Sequence, residues 1–188
     1  MWVALLYGII LLIIVILIVW FISTYNRFIE LRNVIEGEFS QIKVLLKQRA
    51  DMINQLVEAT RGYMRYEKSV LTKVTEMRSQ IAKISIEDIE TIRKHESLFR
   101  DIFSRLIAVF ERYPELKANE AIKELMDKIS NIENKIAKQR MLYNENVVTY
   151  NIAVQTFPSM IVARLMGFRK LPLLEFEKEI EKRPKIEL

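Results

Sequence analysis

The chain has 188 residues, 29 basic and 24 acidic for a formal charge of +5, with 4 glycines, 4 prolines and no cysteine. Without cysteine there is no disulfide framework and no thiolate metal site, and so few helix breakers point to long uninterrupted helices. No basic or acidic residue precedes Arg27, and beyond it the two signs are interspersed. That pattern reads as a solvated helical surface with a mild cationic bias toward anionic lipid headgroups; without a basic stripe interleaved with aromatics, nucleic acid is not an expected partner.

Trp2 to Ile22 is apolar throughout, broken only by Tyr7 and Gly8. As a helix it spans roughly 30 Å, about one hydrocarbon thickness. Trp2 and Tyr7 fall near one headgroup region, and Trp20 and Phe21 near the other. A cleaved signal peptide needs a basic start, an apolar stretch of about 7–15 residues and a small-residue cleavage site. This stretch starts without charge and ends in Trp20-Phe21-Ile22-Ser23-Thr24-Tyr25, so residues 1–23 are expected to be a transmembrane anchor. Arg27, Arg32, Lys43, Lys47 and Arg49 follow the span and nothing positive precedes it. The positive-inside rule then predicts an outside N-terminus and a cytoplasmic domain over 24–170, with a charged tail over 171–188.

Beyond the anchor, apolar residues recur at spacings of three and four. The first run holds Phe28, Leu31, Ile35, Phe39, Ile42, Leu45 and Met52. Leu56, Tyr63, Val70, Met77 and Ile84 follow, beside Ala59 and Tyr66. A third run holds Ile89, Ile92, Phe99, Phe103, Leu106, Phe110 and Tyr113. The clearest is the last: Ile122, Ile129, Ile136, Tyr143, Tyr150 and Phe157, one every seven residues, widened by Met126, Val147 and Val154. No stretch alternates with period two, which excludes a sheet. The expected fold is all-α, an N-terminal transmembrane helix followed by a long antiparallel, up-and-down bundle of about four helices.

The breaks are legible at Ser85, a candidate N-cap with an acid three residues on, and at Pro114, which ends the third run. Asn119 is the expected N-cap of the last long helix, Pro158 its end, and Gly167 the cap of a short helix from Ser159 to Met166. Near Asp51 two readings stand: a turn there, or one helix running from the membrane to near Lys83. With the turn, up-and-down parity returns Phe157–Lys170 to the bilayer. Arg27, Arg32, Arg164, Phe168, Arg169 and Lys170 are the membrane-surface candidates; alternatively, the short helix simply caps the bundle.

Catalytic chemistry finds little material. The one histidine, His95, has Ile92 three residues before it, so no Glu-x-x-His di-iron motif exists, and it reads as a surface or boundary residue. The scattered glycines build no phosphate loop, and Glu87-Asp88 reads as an exposed helix start. No catalytic, cofactor-binding or metal residues are assigned, and no cofactor is expected. Gln139, Arg140, Tyr143, Asn144, Asn146, Tyr150 and Asn151 are unusual as polar residues among the core seams. They read as a satisfied network fixing helix register or as a groove for a partner.

Some of these residues also carry a likeness. Tyr113-Pro-Glu-Leu-Lys-Ala-Asn-Glu120 resembles the most distinctive motif of the LemA family. The likeness continues through Glu133-Asn134, Ile136-Ala137, Arg140, Tyr143-Asn144, Tyr150-Asn151, Phe157-Pro158 and Gly167-Phe168. Upstream it includes Tyr25-Asn26, Leu31-Arg32-Asn33, Gln41-Ile42, Leu46-Lys47, Arg49, Asp51, Leu56-Val57 and Gly62-Tyr63. Family members often have Pro-Asn where this chain has Asn54-Gln55, which weakens the case for a break after Asp51. The resemblance implies a helical bundle on a single anchor without established catalytic activity, and links to envelope or membrane-protein quality control. The expected role is a membrane-anchored, non-catalytic scaffold or adaptor. Its partners would be the bilayer and an unidentified membrane or cytoplasmic protein. The alternatives are a homo-oligomeric structural element, or an enzyme or cofactor carrier.

Overall fold

A computed structural model describes residues 1–63, 67–86 and 88–174; Tyr66, Glu87 and the tail from 175 onward lie outside the described residues. The described chain is all-α: α1 (Trp2–Ala59), a 3-10 turn (Arg61–Tyr63), α2 (Glu67–Ile81), α3 (Ile89–Arg112), α4 (Pro114–Ala118), α5 (Glu120–Gln155) and α6 (Ser159–Met166).

No proline interrupts α1, so its 58 residues form one continuous hydrogen-bonded ladder, roughly 87 Å long at 1.5 Å per residue. No turn forms near Asp51, and the helix does not reach Lys83 either. Asp51 stays helical and pairs with Arg78 of α2 at 3.2 Å. The break falls at Thr60, whose hydroxyl donates to the carbonyls of Leu56 at 2.9 Å and Val57 at 3.1 Å. At its N-terminal end α1 is long and apolar enough to cross a membrane, and no part of that stretch is covered by protein.

From Phe28 onward one seam of α1 is buried at every seventh residue: Phe28, Ile35, Ile42, Arg49 and Leu56. α5 runs antiparallel along it. Phe28 meets Tyr150 edge-on at 6.0 Å, Phe39 meets Tyr143 at 5.8 Å, and Arg49 meets Glu133 at 2.8 Å. The seven-residue repeat is what keeps both stripes facing each other along this length. α2 folds back on the distal part of α1 and α3 returns beside it, clasped by Lys73–Asp101 at 2.6 Å and Lys94–Glu76 at 3.0 Å. Four helical passes therefore surround the distal half, whereas α1 and α5 alone form the spine of the proximal half.

The caps follow local chemistry. Tyr113 sits at φ −126°, ψ 82°, driven from helical geometry by Pro114, which then opens α4 at its first position. Asn119 caps α5 as expected, accepting from the amides of Ala121 and Ile122. Gly167 ends α6 in the left-handed region at φ 75°. Ser85 does not cap α3. Asp88 does, accepting from the Thr91 amide at 3.1 Å, because a carboxylate directly at the helix start meets the free N–H groups and the positive end of the dipole.

The expected parity depended on a turn near Asp51; the break at Thr60 takes its place, so α1, α2, α3 and α5 still run in up-and-down order. α5 ends beside the base of α1, where Val162 and Ala163 of α6 enter the same core cluster that Trp20, Phe21 and Tyr25 pack against.

Candidate functional site

Two apolar clusters fill the bundle. The proximal one runs from Phe28 to Leu46 on α1 and takes Ile136, Tyr143, Val147 and Tyr150 from α5. The distal one begins at Ala50 and gathers Leu56, Val74, Met77, Ile102, Leu106 and Ile129. Between Leu46 and Ala50 lies Arg49, fully buried, and around it the structure assembles the main polar constellation of the molecule.

Arg49 Nη2 donates to Glu96 Oε1 at 2.7 Å, and Nη1 donates to Glu133 Oε1 at 2.8 Å and Glu96 Oε2 at 3.2 Å. Its guanidinium carbon lies 3.9 Å from the centroid of the Phe99 ring, a stacking geometry open to the planar, weakly hydrated guanidinium. Arg140 Nη2 reaches the same Glu96 Oε1 at 2.6 Å. Arg49 Nη2 lies 3.2 Å from His95 Nδ1. Arginine only donates, so Nδ1 can take part in this contact only as acceptor, while Nε2 is buried without a partner among the described residues.

The electrostatics follow from this arrangement. Burial alone would raise the Glu96 carboxyl, but the adjacent His95 and the hydrogen bonds and charges of Arg49 and Arg140 overcome it and hold Glu96 well below the carboxylate range. Burial also opposes the Arg49 charge, and Glu96 and Glu133 reverse that, raising its pKa. Arg140 is lowered, chiefly by burial with Arg49 nearby. His95 is lowered chiefly by burial, reinforced by the two guanidiniums. A carboxylate locked between two arginines does not take up a proton near neutrality, and no nucleophile faces the imidazole among the described residues. Nor is there, among those residues, a group of three or more His, Asp or Glu side chains able to hold a metal. The arrangement ties three helices together in register, α1, α3 and α5 each contributing charge.

The expected polar set divides in three. Arg140 belongs to the ionic cluster. Tyr143, Asn144 and Asn151 instead hold the extended segment 171–174 against α5. Asn151 donates to the Leu171 carbonyl at 2.8 Å and accepts from its amide at 2.9 Å; Asn144 does the same for Leu174 at 3.1 and 2.8 Å. The Tyr143 hydroxyl donates to the Pro172 carbonyl at 3.1 Å, and burial pushes its pKa up to about 12. The spacing has a geometric reason. Seven helical residues rise about 10.5 Å, and three extended residues cover about 10 Å, so the two Tyr-Asn repeats match Leu171 and Leu174. Residues 171–174 thus pack as part of the bundle, with Leu171 and Leu174 buried. Gln139 hydrogen-bonds Glu38 of α1, Asn146 bonds the Leu142 carbonyl within its own helix, and Tyr150 packs on Phe28. An open groove beside the 171–174 segment is lined by Met141, Val148 and Leu173.

Of the membrane-surface candidates, Arg27, Arg164, Arg169 and Lys170 are exposed and Arg32 is half-buried, paired with Glu36 at 3.1 Å. Phe168 is a packing residue, stacked on Phe28 at 4.8 Å and near Tyr25 at 5.8 Å. His95, expected at the surface or a helix boundary, is fully buried. Glu96 and Glu133 were not expected as site residues. The signal for them is a charged residue interrupting a seven-residue seam: Arg49 between Ile42 and Leu56, Glu96 between Ile89 and Phe103, and Glu133-Arg140 between Met126 and Val147.

Comparison with known proteins places these features in context. A family model described as the LemA family matches residues 38–188, a range that reaches through the tail. The chain is 22% identical to magnetosome protein MamQ of Magnetospirillum gryphiswaldense, over 82% of this chain and 67% of that one. It is 25% identical to protein LemA of Metamycoplasma hominis, over 86% and 73% respectively. With magnetosome protein MamQ 2 of Paramagnetospirillum magneticum it shares 23% identity, over 81% and 66%.

Proposed function

This chain belongs to the LemA family, and on that premise we propose that it is a membrane-anchored, non-catalytic helical scaffold or adaptor. Its bundle faces the cytoplasm and engages protein partners, in a role connected with membrane-protein or envelope quality control. One observation carries the reading: α1 is at once the apolar, uncovered helix and the spine of the bundle, without a break between them. A rigid shared helix couples the anchor mechanically to the presented surface, as a scaffold requires and a tethered enzyme does not. The ionic cluster supports the same reading, since its charges are spent on one another.

The test is crosslinking in living cells with the full chain, followed by affinity purification, against the anchor alone as control. A stoichiometric partner lost with the bundle supports the adaptor. The cytoplasmic placement rests on the basic residues after Ile22. Single cysteines at Ser23 and Lys178 are expected to resist an impermeant maleimide in intact cells, and rapid labelling of both overturns the topology.

A homo-oligomeric structural element is the second reading, favoured by exposed Met141, Val148 and Ile152, spaced by seven and four on α5. Sedimentation of the detergent-solubilised full chain separates the two, a concentration-independent monomer counting against self-assembly.

A further inference from the structure

The α5–α6 corner leaves large apolar side chains in the open. Phe157 is 78% exposed, Leu165 70%, Met166 46% and Ile161 43%. Phe157, Ile161 and Leu165 follow one another at intervals of four, and within α6 that interval places Ile161 and Leu165 on one face. The opposite face is occupied, with Val162 and Ala163 buried in the proximal core. Single exposed apolar residues are ordinary on a protein surface, but a contiguous patch on a short helix calls for a cover.

Position identifies that cover. Trp20 and Phe21, the last aromatics of the apolar stretch, pack against the same core cluster as Val162 and Ala163. Phe168, just past α6, stacks on Phe28, which lies roughly 9 Å along the helix from Ile22. The headgroup layer is itself about 5–8 Å deep on each side of the hydrocarbon. If Trp2–Ile22 spans the bilayer, α6 is held at headgroup depth by its packing. Arg164 within α6 and Arg169 and Lys170 just past it are exposed, as are Arg27 and, three residues on, the acid Glu30 where α1 leaves the apolar stretch. An apolar face flanked by cations is the chemistry of an interfacial helix on an anionic leaflet.

We propose that α6 is a second membrane contact, with Phe157, Ile161 and Leu165 inserted among the lipids of the leaflet from which α1 emerges and Arg164, Arg169 and Lys170 held on anionic headgroups. This inference rests on the anchor reading. With two contacts the bundle is fixed in tilt and rotation relative to the membrane, so that one defined face meets partners.

The natural chain has no cysteine, which makes depth measurement direct. Leu165→Cys, Leu12→Cys and Glu115→Cys versions of the full chain, each carrying a nitroxide, are reconstituted in phosphatidylcholine vesicles containing about one-third phosphatidylglycerol. Accessibility to oxygen and to an aqueous nickel chelate is then compared. The Leu165 label is expected about 5–10 Å below the headgroup boundary, the Leu12 label deeper still, and the Glu115 label in water. A buried Leu12 label with Leu165 as accessible as Glu115 overturns the second contact alone. An aqueous Leu12 label overturns the anchor reading and this inference with it. In the R164Q/R169Q/K170Q chain the Leu165 label is expected to become shallower; unchanged depth refutes the electrostatic part.

Discussion

Replacing Arg49 by methionine keeps most of the aliphatic stem but removes the guanidinium stacked on Phe99 and the charge that two carboxylates share. Glu133 is 40% exposed at its side chain, so its half of the loss is solvated and worth at most about 1 kcal/mol. Glu96 is 15% exposed and keeps only Arg140 as a cationic partner. Removing one member of a buried ionic cluster costs about 3–5 kcal/mol, and for a domain of this size each kcal/mol corresponds to roughly 2–4 °C. The helical circular-dichroism signal of the full chain in detergent is therefore expected to melt roughly 6–20 °C lower in R49M. The decisive comparison is the triple variant R49M/E96L/R140L, in which no buried charge from this trio remains uncompensated. It is expected to recover most of the loss, because whole buried clusters replaced by apolar side chains are often neutral. A melting point for R49M indistinguishable from the parent, or a triple variant that loses the sum of the single effects, would refute the reasoning.

Four further outcomes are expected. His95 is neutral in the fold with its pKa pushed below the ordinary 6.5, so the unfolded chain binds more protons below that value and stability falls as pH drops through it. H95Q is expected to flatten this dependence in melts taken between about pH 7 and pH 5, and an unchanged slope counts against a buried neutral imidazole. Glu96 acts at lower pH: its stabilisation is present above the ordinary 4.5 and is lost on acidification toward its depressed value. Asn151→Ala removes both hydrogen bonds to Leu171, and hydrogen exchange at Leu171 and Leu174 is expected to speed up at least severalfold while α1 amides near Ile35 stay protected. Equal protection in the variant contradicts the clamp. Tyr143→Phe is expected to cost about 1 kcal/mol through its bond to Pro172. Tyr150→Phe, which has no hydrogen bond to lose among the described residues, is expected to melt like the parent. Chemical denaturation of the pair decides, and equal losses speak against the assignment.

The helical character of the chain, its apolar stretch and most of its caps were legible from residue spacing, since these depend on contacts within a few residues. Gly167 and Asn119 take the roles their side-chain chemistry suits, and Tyr113 yields to the proline after it. Asp88 displaced Ser85 as a cap because the helix start shifted by one turn, a difference that local preference alone does not resolve. The long seam of α5 follows its seven-residue spacing, and all seven residues of the expected polar set lie on that helix.

Residue spacing alone gives the apolar stripe of each helix and the apolar end of the chain, because periodicity is a property of one element, although Tyr63 and Phe157 on those stripes are exposed and His95 off them is buried. Which seams meet is settled by packing between helices. Arg49, Glu96, Glu133 and Arg140 each interrupt a separate run, and their attraction exists only once α1, α3 and α5 stand within hydrogen-bond distance. The same holds for the segment 171–174, whose backbone finds its partners on Asn144 and Asn151 only when the chain turns back at α6. Charge pairing and backbone docking depend on distances between elements remote in sequence, and those distances are set by the packing of the whole bundle.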